Sequence, residues 1–131
     1  MTDQSVLREK LRLMFDTPGG DVQYAKELYH DDAVLEFPQS GERFEGRDTF
    51  TEWRGQYPAE VGFAVQRMTI RDDLAVVELT ARYDSEGPVM YGVGLMEFRG
   101  DKIAYERIYV SEGWEAPEWR APWRSAPPVS D

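Results

Sequence analysis

The chain has 131 residues, no cysteine, and 25 acidic against 15 basic side chains, which gives a formal net charge of −10. This length is typical of one domain, and the missing cysteines exclude disulfides and thiolate metal sites. No Lys/Arg cluster is present that could bind phosphates, so we expect no nucleic-acid partner. The N-terminus holds no apolar run, so we expect no membrane partner and a cytoplasmic location.

The first third of the chain and one later segment predict three helices. A stripe with the spacing of an α-helix runs through the first of them: Leu7, Leu11, Met14 and Phe15. Residues 17–20, Thr-Pro-Gly-Gly, end this helix, and Asp21 is expected to cap a second, short one. One face of the second helix is formed by four residues: Tyr24, Ala25, Leu28 and Tyr29. The third helix is predicted over residues 46–57, with Trp53 and Arg54 on the same side.

Alternating and apolar segments predict the strands. A short strand over residues 33–37 and a brief return strand over 43–45 lie between the second and third helices. Four longer strands follow, over residues 63–71, 74–83, 88–99 and 102–111. Turn residues between them predict that consecutive strands are antiparallel. The third long strand is apolar on both faces, which indicates a sheet covered on both sides, with a second copy of the chain as the expected outer cover.

The segment from Trp114 onward differs in composition from the rest of the chain. It holds three of the four tryptophans and four of the eight prolines, which forbid a long regular helix. We expect residues 1–113 to form one domain and residues 114–131 an extended arm whose aromatic side chains are buried anchors as far as Trp123. Three roles of this arm remain open: it could close a pocket, stabilise a dimer or cover the edge of the sheet.

The order of helix, helix, short strand, helix and four-strand meander resembles the nuclear transport factor 2-like fold. Two segments carry the resemblance: residues 28–38, Leu-Tyr-His-Asp-Asp-Ala-Val-Leu-Glu-Phe-Pro, and residues 44–48, Phe-Glu-Gly-Arg-Asp. The sequence is similar to the SnoaL-like group, which includes polyketide cyclases and relatives of ketosteroid isomerase. The resemblance implies an α+β fold in which a cone-shaped, curved antiparallel sheet packs against three N-terminal helices, as in the cystatin-like roll. It also implies a cup for a hydrophobic small molecule.

The catalytic patterns of two related enzyme families are not found in this sequence. At the positions that the resemblance aligns with the general base, the oxyanion-hole acid and the first-helix tyrosine of ketosteroid isomerase, the chain has Phe37, Gly94 and Leu11. Limonene epoxide hydrolase needs two aspartates bridged by an arginine inside the cup, and we cannot assemble that pattern from inward positions. These differences favour a binding module over an enzyme.

The resemblance also implies which residues line the cup. The ligand-binding candidates are Leu35, Phe37, Trp53, Val77, Leu79, Met90, Gly92, Gly94, Ile108 and Val110. The alternation of the second long strand agrees, because its odd positions are the apolar ones. Paired glycines inside a strand mark either room for a ligand or simple curvature of the sheet, and the sequence leaves both open.

Glu106 is the main candidate for chemistry. It shares its predicted register with Ala104 and Ile108, so apolar surroundings would raise the pKa of its carboxyl and suit acid–base catalysis. The alternative is an ion pair with Arg54, which would lower this pKa and leave the carboxylate inert. Tyr29 and Arg54 are candidates for stabilising an oxyanion on the substrate, and ordinary structural roles are the alternative for both.

No cofactor or metal is expected. The single histidine, His30, stands beside Asp31 and Asp32, but adjacent residues at a helix end do not converge on one point, so we expect it to face solvent. Two functions stay open. One is a cofactor-independent isomerase, cyclase or dehydratase acting on a hydrophobic, polycyclic or carbonyl-containing metabolite. The other is a non-catalytic ligand-binding or protein-interaction module.

Overall fold

The computed structural model describes residues 3–57, 61–84 and 86–126. The α-helices are α1 (Gln4–Asp16), α2 (Gly20–Gln23), α3 (Ala25–Leu28) and α4 (Arg47–Gly55). The strands are β1 (Tyr29–Phe37), β2 (Glu42–Glu45), β3 (Val61–Arg71), β4 (Leu74–Tyr83), β5 (Val89–Arg99) and β6 (Lys102–Glu112). A 3₁₀ helix, Glu118–Trp123, follows in the arm. No helix in these ranges is long and apolar enough to span a membrane.

The six strands form one curved sheet in the order β2-β1-β6-β5-β4-β3. As the turn residues predict, β3 to β6 are successive antiparallel neighbours. The expectation of an entirely antiparallel sheet is wrong at one pairing: β1 is antiparallel to β2 but parallel to β6, so the sheet is mixed. The parallel pairing places Leu35 opposite Glu106 and thereby joins the helical third of the chain to its last strand. The predicted α+β class, a curved sheet packed against N-terminal helices, is confirmed.

The hydrophobic core lies between the helices and one face of this sheet. The predicted stripe of α1 is buried along its whole length, from Leu7 to Phe15, and the ring of Phe15 packs edge-on against Phe63 of β3 at 5.5 Å between centres. Burying such a side chain contributes about 1.5–3 kcal/mol. In α1 the carboxylate of Asp3 accepts a hydrogen bond from the backbone N–H of Ser5 at 2.8 Å, which starts the helix.

The prediction of the second helix is wrong in its extent. This helix is divided into the single turns α2 and α3 at Tyr24, and Gly19, with φ of +68°, is the N-cap of α2 in place of Asp21. β1 begins at Tyr29, so Tyr29 and His30 are strand residues. The reason is pairing with β6, because a strand partner satisfies the backbone groups that a continued helix would otherwise satisfy.

A β-bulge changes which residues of β6 face the core. Glu97 pairs with Tyr105 and the next residue of β5 pairs with Ile103, so Ala104 is the extra residue. Ile103 is fully buried in the core, and the prediction that Ala104 shares the apolar face with Glu106 is wrong. One extra residue shifts the alternation of a strand by one position, and the amino-acid sequence gives no sign of it here.

The tryptophans of the arm are exposed in the single chain. Trp114, Trp119 and Trp123 are 77%, 73% and 78% exposed, and the 3₁₀ helix has no extensive packing partner among the described helices and strands. The prediction of buried anchors is therefore wrong for one copy of the chain, because the helices already cover the apolar face of the sheet. Residues 127–131 of the predicted arm lie outside the described residues, and its division from the domain stays a prediction.

Candidate functional site

A cavity of about 250 Å³ opens between α2, α4 and the face of the sheet that carries the helices. Its wall is mostly apolar and aromatic, and includes Phe15, Val22, Phe37, Trp53, Phe63 and Ile108. Three charged side chains interrupt this wall: Asp21, Arg54 and Glu106. An apolar cavity of about 150 Å³ is large enough for benzene, so this one has room for one or two fused rings.

Seven of the ten ligand-binding candidates line this cavity: Phe37, Trp53, Leu79, Gly92, Gly94, Ile108 and Val110. Three do not. Leu35 and Val77 are fully buried beneath the wall, because the helices cover their part of the sheet. Met90 is paired with Glu112 at the end of the sheet and does not reach the cavity wall. For the seven lining residues, contact with a ligand stays a prediction.

The two glycines of β5 differ in what requires them. A Cβ atom at Gly92 would lie 3.0 Å from the backbone oxygen of Tyr109, so the close approach of the neighbouring strand accounts for this glycine. A Cβ atom at Gly94 would meet only the flexible end of Met96, at 3.1 Å. Packing therefore does not require a glycine at position 94, and its missing side chain leaves room in the cavity.

Four polar side chains form one network at the edge of the cavity. The Tyr29 hydroxyl donates a hydrogen bond to Oε1 of Glu106 at 2.5 Å and accepts one from Nη1 of Arg54 at 3.0 Å. Nε of Arg54 lies 3.3 Å from Oδ2 of Asp21, and its Nη2 lies 3.8 Å from Oε1 of Glu106. Within the described residues Oε2 of Glu106 has no hydrogen-bond partner, and Glu106 is one of the residues that line the cavity.

Burial dominates the electrostatics of the network. It raises the pKa of Glu106, which is 2% exposed, and the positive charge of Arg54 and the hydrogen bond from Tyr29 offset this only in part. Burial also raises the pKa of Tyr29 well above its ordinary value. For Arg54, burial opposes the charge, but Tyr29, Glu106 and Asp21 raise its pKa overall, so the guanidinium stays protonated. The two alternatives for Glu106 thus combine: it lies near Arg54, yet its pKa is raised.

Helix α4 positions Arg54 through its buried side. Phe50 is fully buried, and its ring stands edge-on to the ring of Tyr29 with 5.0 Å between centres. One turn later, the guanidinium carbon of Arg54 lies 5.3 Å from the centre of the Phe50 ring. Because Tyr29 comes from β1 and Glu106 from the adjacent β6, this ring fixes the helix over the strand pair that carries the network.

Asp21 is the member of the network that the sequence analysis missed, because it takes Asp21 to be a helix cap. Arg54 of α4 lies between two carboxyl groups, Asp21 of α2 and Glu106 of β6. Because the second of these is a glutamate, this is not the pattern of two aspartates that limonene epoxide hydrolase needs. Nothing local in the sequence marks this arrangement, since its parts meet only in the folded chain.

The remaining titratable candidates do not join the site. Nε2 of His30 lies 2.5 Å from the backbone oxygen of Arg99, so it is held against β5. Asp32 accepts a hydrogen bond from the guanidinium of Arg99 at 2.7 Å on the surface. Over residues 3–57, 61–84 and 86–126, no three His, Asp or Glu side chains are grouped so that they could hold a metal ion.

The fold and the cavity with its buried carboxyl define a SnoaL-like domain of the nuclear transport factor 2-like class. The sequence profile described as "SnoaL-like domain" matches residues 14–106, and the chain belongs to this family. No curated protein matches the sequence.

Solved structures share the fold over most of their length. A nuclear transport factor 2-like protein of unknown function from Burkholderia xenovorans is 33% identical, with 95% of this chain and 98% of that chain covered and a TM-score of 0.81. A proposed ketosteroid isomerase from Kribbella flavida is 25% identical, with 98% and 95% covered and a TM-score of 0.83. A proposed SnoaL-like polyketide cyclase from Shewanella putrefaciens, 10% identical with 82% and 88% covered and a TM-score of 0.65, shows the fold alone.

Proposed function

We propose that this protein is a cofactor-independent acid–base enzyme that acts on a neutral, apolar carbonyl compound of one or two rings. The observation that carries the proposal is the state of Glu106, which lines an apolar cavity: one of its oxygens is held by Tyr29, and the other has no hydrogen-bond partner among the described residues. A carboxyl group with a raised pKa is suited to exchanging protons near neutral pH. The relative named as a proposed ketosteroid isomerase supports chemistry of the isomerase type.

The reaction that fits these residues starts beside the carbonyl group. Oε2 of Glu106 takes a proton from the adjacent carbon, the electron pair of the broken C–H bond forms a C=C bond, and the π pair of the carbonyl group moves to its oxygen. Arg54 lines the cavity and stabilises the resulting enolate, while Tyr29, which donates its only proton to Glu106, orients the carboxyl. In an isomerisation, Glu106 then returns the proton to another carbon of the substrate. In a cyclisation, the enolate carbon attacks a second carbonyl group of the same molecule, and the oxygen of that group takes the proton from Glu106. In a dehydration, the hydroxyl group on the next carbon takes this proton and leaves as water.

Glu106→Gln tests this proposal with 2-tetralone, a two-ring ketone that fits the cavity volume. We expect the wild-type protein to accelerate exchange of the hydrogens beside the carbonyl in deuterated water, and the variant to lose about 100-fold or more of this rate. Proton NMR of the ketone measures the exchange. Glu112→Gln, a change at an exposed position of the same strand, is the control that should retain the full rate. Equal rates for wild type and Glu106→Gln would rule out Glu106 as the catalytic residue.

A non-catalytic binding module is the second candidate function. Phe37 and Gly94 stand where the resemblance places the catalytic groups of ketosteroid isomerase, and this loss favours the module. The same ketone separates the two functions. A module binds 2-tetralone more tightly at a pH at which Glu106 is protonated and can donate to the carbonyl, but it does not accelerate hydrogen exchange.

A cytoplasmic location stays a prediction that cell fractionation tests.

We also propose that two copies of the chain form a homodimer through the outer face of the sheet. Tyr91 and Tyr109 are exposed on this face, and Val93 and Leu95 are only half-buried there. Nε of Arg107 is buried without a hydrogen-bond partner in the described part of the chain, which is costly for a polar group unless a partner supplies an acceptor. The exposed arm begins beside this face, since a Cβ atom at Gly113 would lie 3.2 Å from the ring of Tyr91.

Light scattering tests the homodimer. At micromolar concentration the wild-type protein should have twice the mass of one chain, and Val93→Asp should yield a folded monomer because it places a charge at the centre of the face. Val6→Asp, on an exposed position of α1, should leave the mass unchanged. A wild-type monomer at this concentration would contradict the proposal.

A further inference from the structure

Asp21 lines the cavity, and its side chain contacts one polar group among the described residues. Its Oδ2 lies 3.3 Å from Nε of Arg54, and Arg54 is its only polar partner among the described residues. The N-cap of α2 is Gly19, so Asp21 does not cap this helix. Gly20 holds the turn firmly in place, because a Cβ atom there would collide with the backbone oxygen of Leu13 in α1.

The network contains two carboxyl groups but only one guanidinium, and the two are placed unequally. Nε of Arg54 lies 3.3 Å from Oδ2 of Asp21 and its Nη2 lies 3.8 Å from Oε1 of Glu106, so the guanidinium pairs with both carboxyl groups but lies nearer to Asp21. The side chain of Asp21 is 20% exposed and that of Glu106 only 2%. Asp21 therefore has both water and the closer arginine contact within reach, whereas Glu106 is almost closed off from water.

We infer that Asp21 is a positioning residue that holds the guanidinium of Arg54 on its own side of the cavity and so leaves Glu106 as the carboxyl that gains and loses a proton. This inference rests on the proposed function, since it explains which of the two carboxyl groups does the chemistry. A guanidinium that neutralises Asp21 has less positive charge to offer Glu106. When two titratable groups are placed in such different surroundings, their roles as acid and base separate.

The charges around Glu106 agree with this division. The groups that act on it are Arg54 from α4, Tyr29 from β1 and Asp21 from α2. Burial is the largest influence and raises the pKa of Glu106, Arg54 and Tyr29 lower it, and the negative charge of Asp21 raises it again. Asp21 thus acts on Glu106 both directly, through its charge, and indirectly, by engaging Arg54.

Asp21→Asn tests the inference without requiring catalysis. Removing the charge should let Arg54 turn toward Glu106, and the midpoint of the Glu106 titration should move down by about one pH unit. Carbon NMR of protein labelled at the glutamate carboxyl carbon measures this midpoint. Asp16→Asn, a change at an exposed carboxylate of α1, should leave it in place, and Asp21→Glu, which restores the charge, should return it toward the wild-type value.

Asp21→Ser is a second variant with the same expected shift, in case the asparagine variant does not fold. An unchanged midpoint in either folded variant would overturn the inference, and so would loss of folding in both, since Asp21 would then serve stability alone. The outcome is separate from that of the proposed function. If wild-type protein fails to accelerate exchange of 2-tetralone hydrogens, the enzyme proposal fails, while the NMR midpoint still decides whether Asp21 controls the Glu106 proton.

Discussion

Arg54→Met is expected to lower the free energy of unfolding by about 3–5 kcal/mol at neutral pH. The side chain of Arg54 is 8% exposed and lies between Asp21 and Glu106. Methionine fills a similar volume, so the loss comes mainly from leaving Glu106 in its buried place, and Asp21 beside it, without their positive partner. Urea unfolding followed by circular dichroism measures the change.

The pH dependence of this loss follows from Glu106. Because its folded-state pKa lies above the ordinary value, the folded protein keeps a proton that the unfolded chain releases, and this contribution to stability is lost as the pH rises through the folded pKa. Removing Arg54 removes a charge that lowers this pKa. The upper end of the pH range over which stability is lost therefore moves to higher pH. The destabilisation should therefore be smaller at about pH 5 than at about pH 7.

Arg12→Met is the matched control for this measurement. Arg12 pairs with Asp16 at 3.7 Å on the surface of α1, and both side chains are largely exposed. Such pairs contribute about 0.3–0.5 kcal/mol, so the variant should unfold almost as the wild-type protein does. If Arg54→Met lowered the free energy of unfolding as little as Arg12→Met, the charge of Arg54 would not be what stabilises the two carboxyl groups of the network.

Phe50→Ala is expected to cost about 3–5 kcal/mol, which is a large part of the stability of a domain of this size. Phe50 is fully buried, and its ring contacts Tyr29 edge-on beneath Arg54. Loss of the ring leaves a void that the backbone of α4 cannot fill. Thermal unfolding should therefore occur at a clearly lower temperature than in the wild-type protein.

A second measurement distinguishes this site from any other buried position. Removal of the Phe50 ring admits water beside Tyr29 and Arg54, so the pKa of Glu106 should fall toward its ordinary value. Leu13→Ala, at an exposed position of α1, should cost less than about 1 kcal/mol and leave the Glu106 midpoint unchanged. A destabilised Phe50→Ala protein with an unmoved Glu106 midpoint would show that the ring supports the core but not the network.

The fold is predictable where hydrophobic period and turn residues agree. The bounds of β4 match the prediction because its alternation is strict and because Asp72, with φ of +54°, takes the left-handed turn conformation that aspartate tolerates. Around Tyr29 the local pattern favours a helix, yet pairing with β6 imposes a strand. Intrinsic preference is a weak influence, and tertiary contacts override it here.

The residues of the candidate site are predictable only where the alternation of a strand or the face of a helix directs a side chain toward the cup. Glu106 stands out because a carboxyl group falls on an apolar face, and Arg54 because it shares a helix face with Trp53. Asp21 could not be found in this way, since its partner Arg54 lies on another helix and only the packing of α2 against α4 brings them together. The exposure of the three arm tryptophans cannot be predicted from composition, because composition does not tell whether a second molecule covers them.

The parallel pairing of β1 with β6 determines when the site is assembled during folding. Short turns join β3 to β6, so this meander can form from contacts that are close in sequence. β1 can join only after β6 exists, because Tyr29 and Glu106 are 77 residues apart. During synthesis the hydrogen bond between them therefore has to wait until Glu106 is made, and a nascent chain that ends before it has the helices α1 to α4 but lacks the carboxyl group of the site.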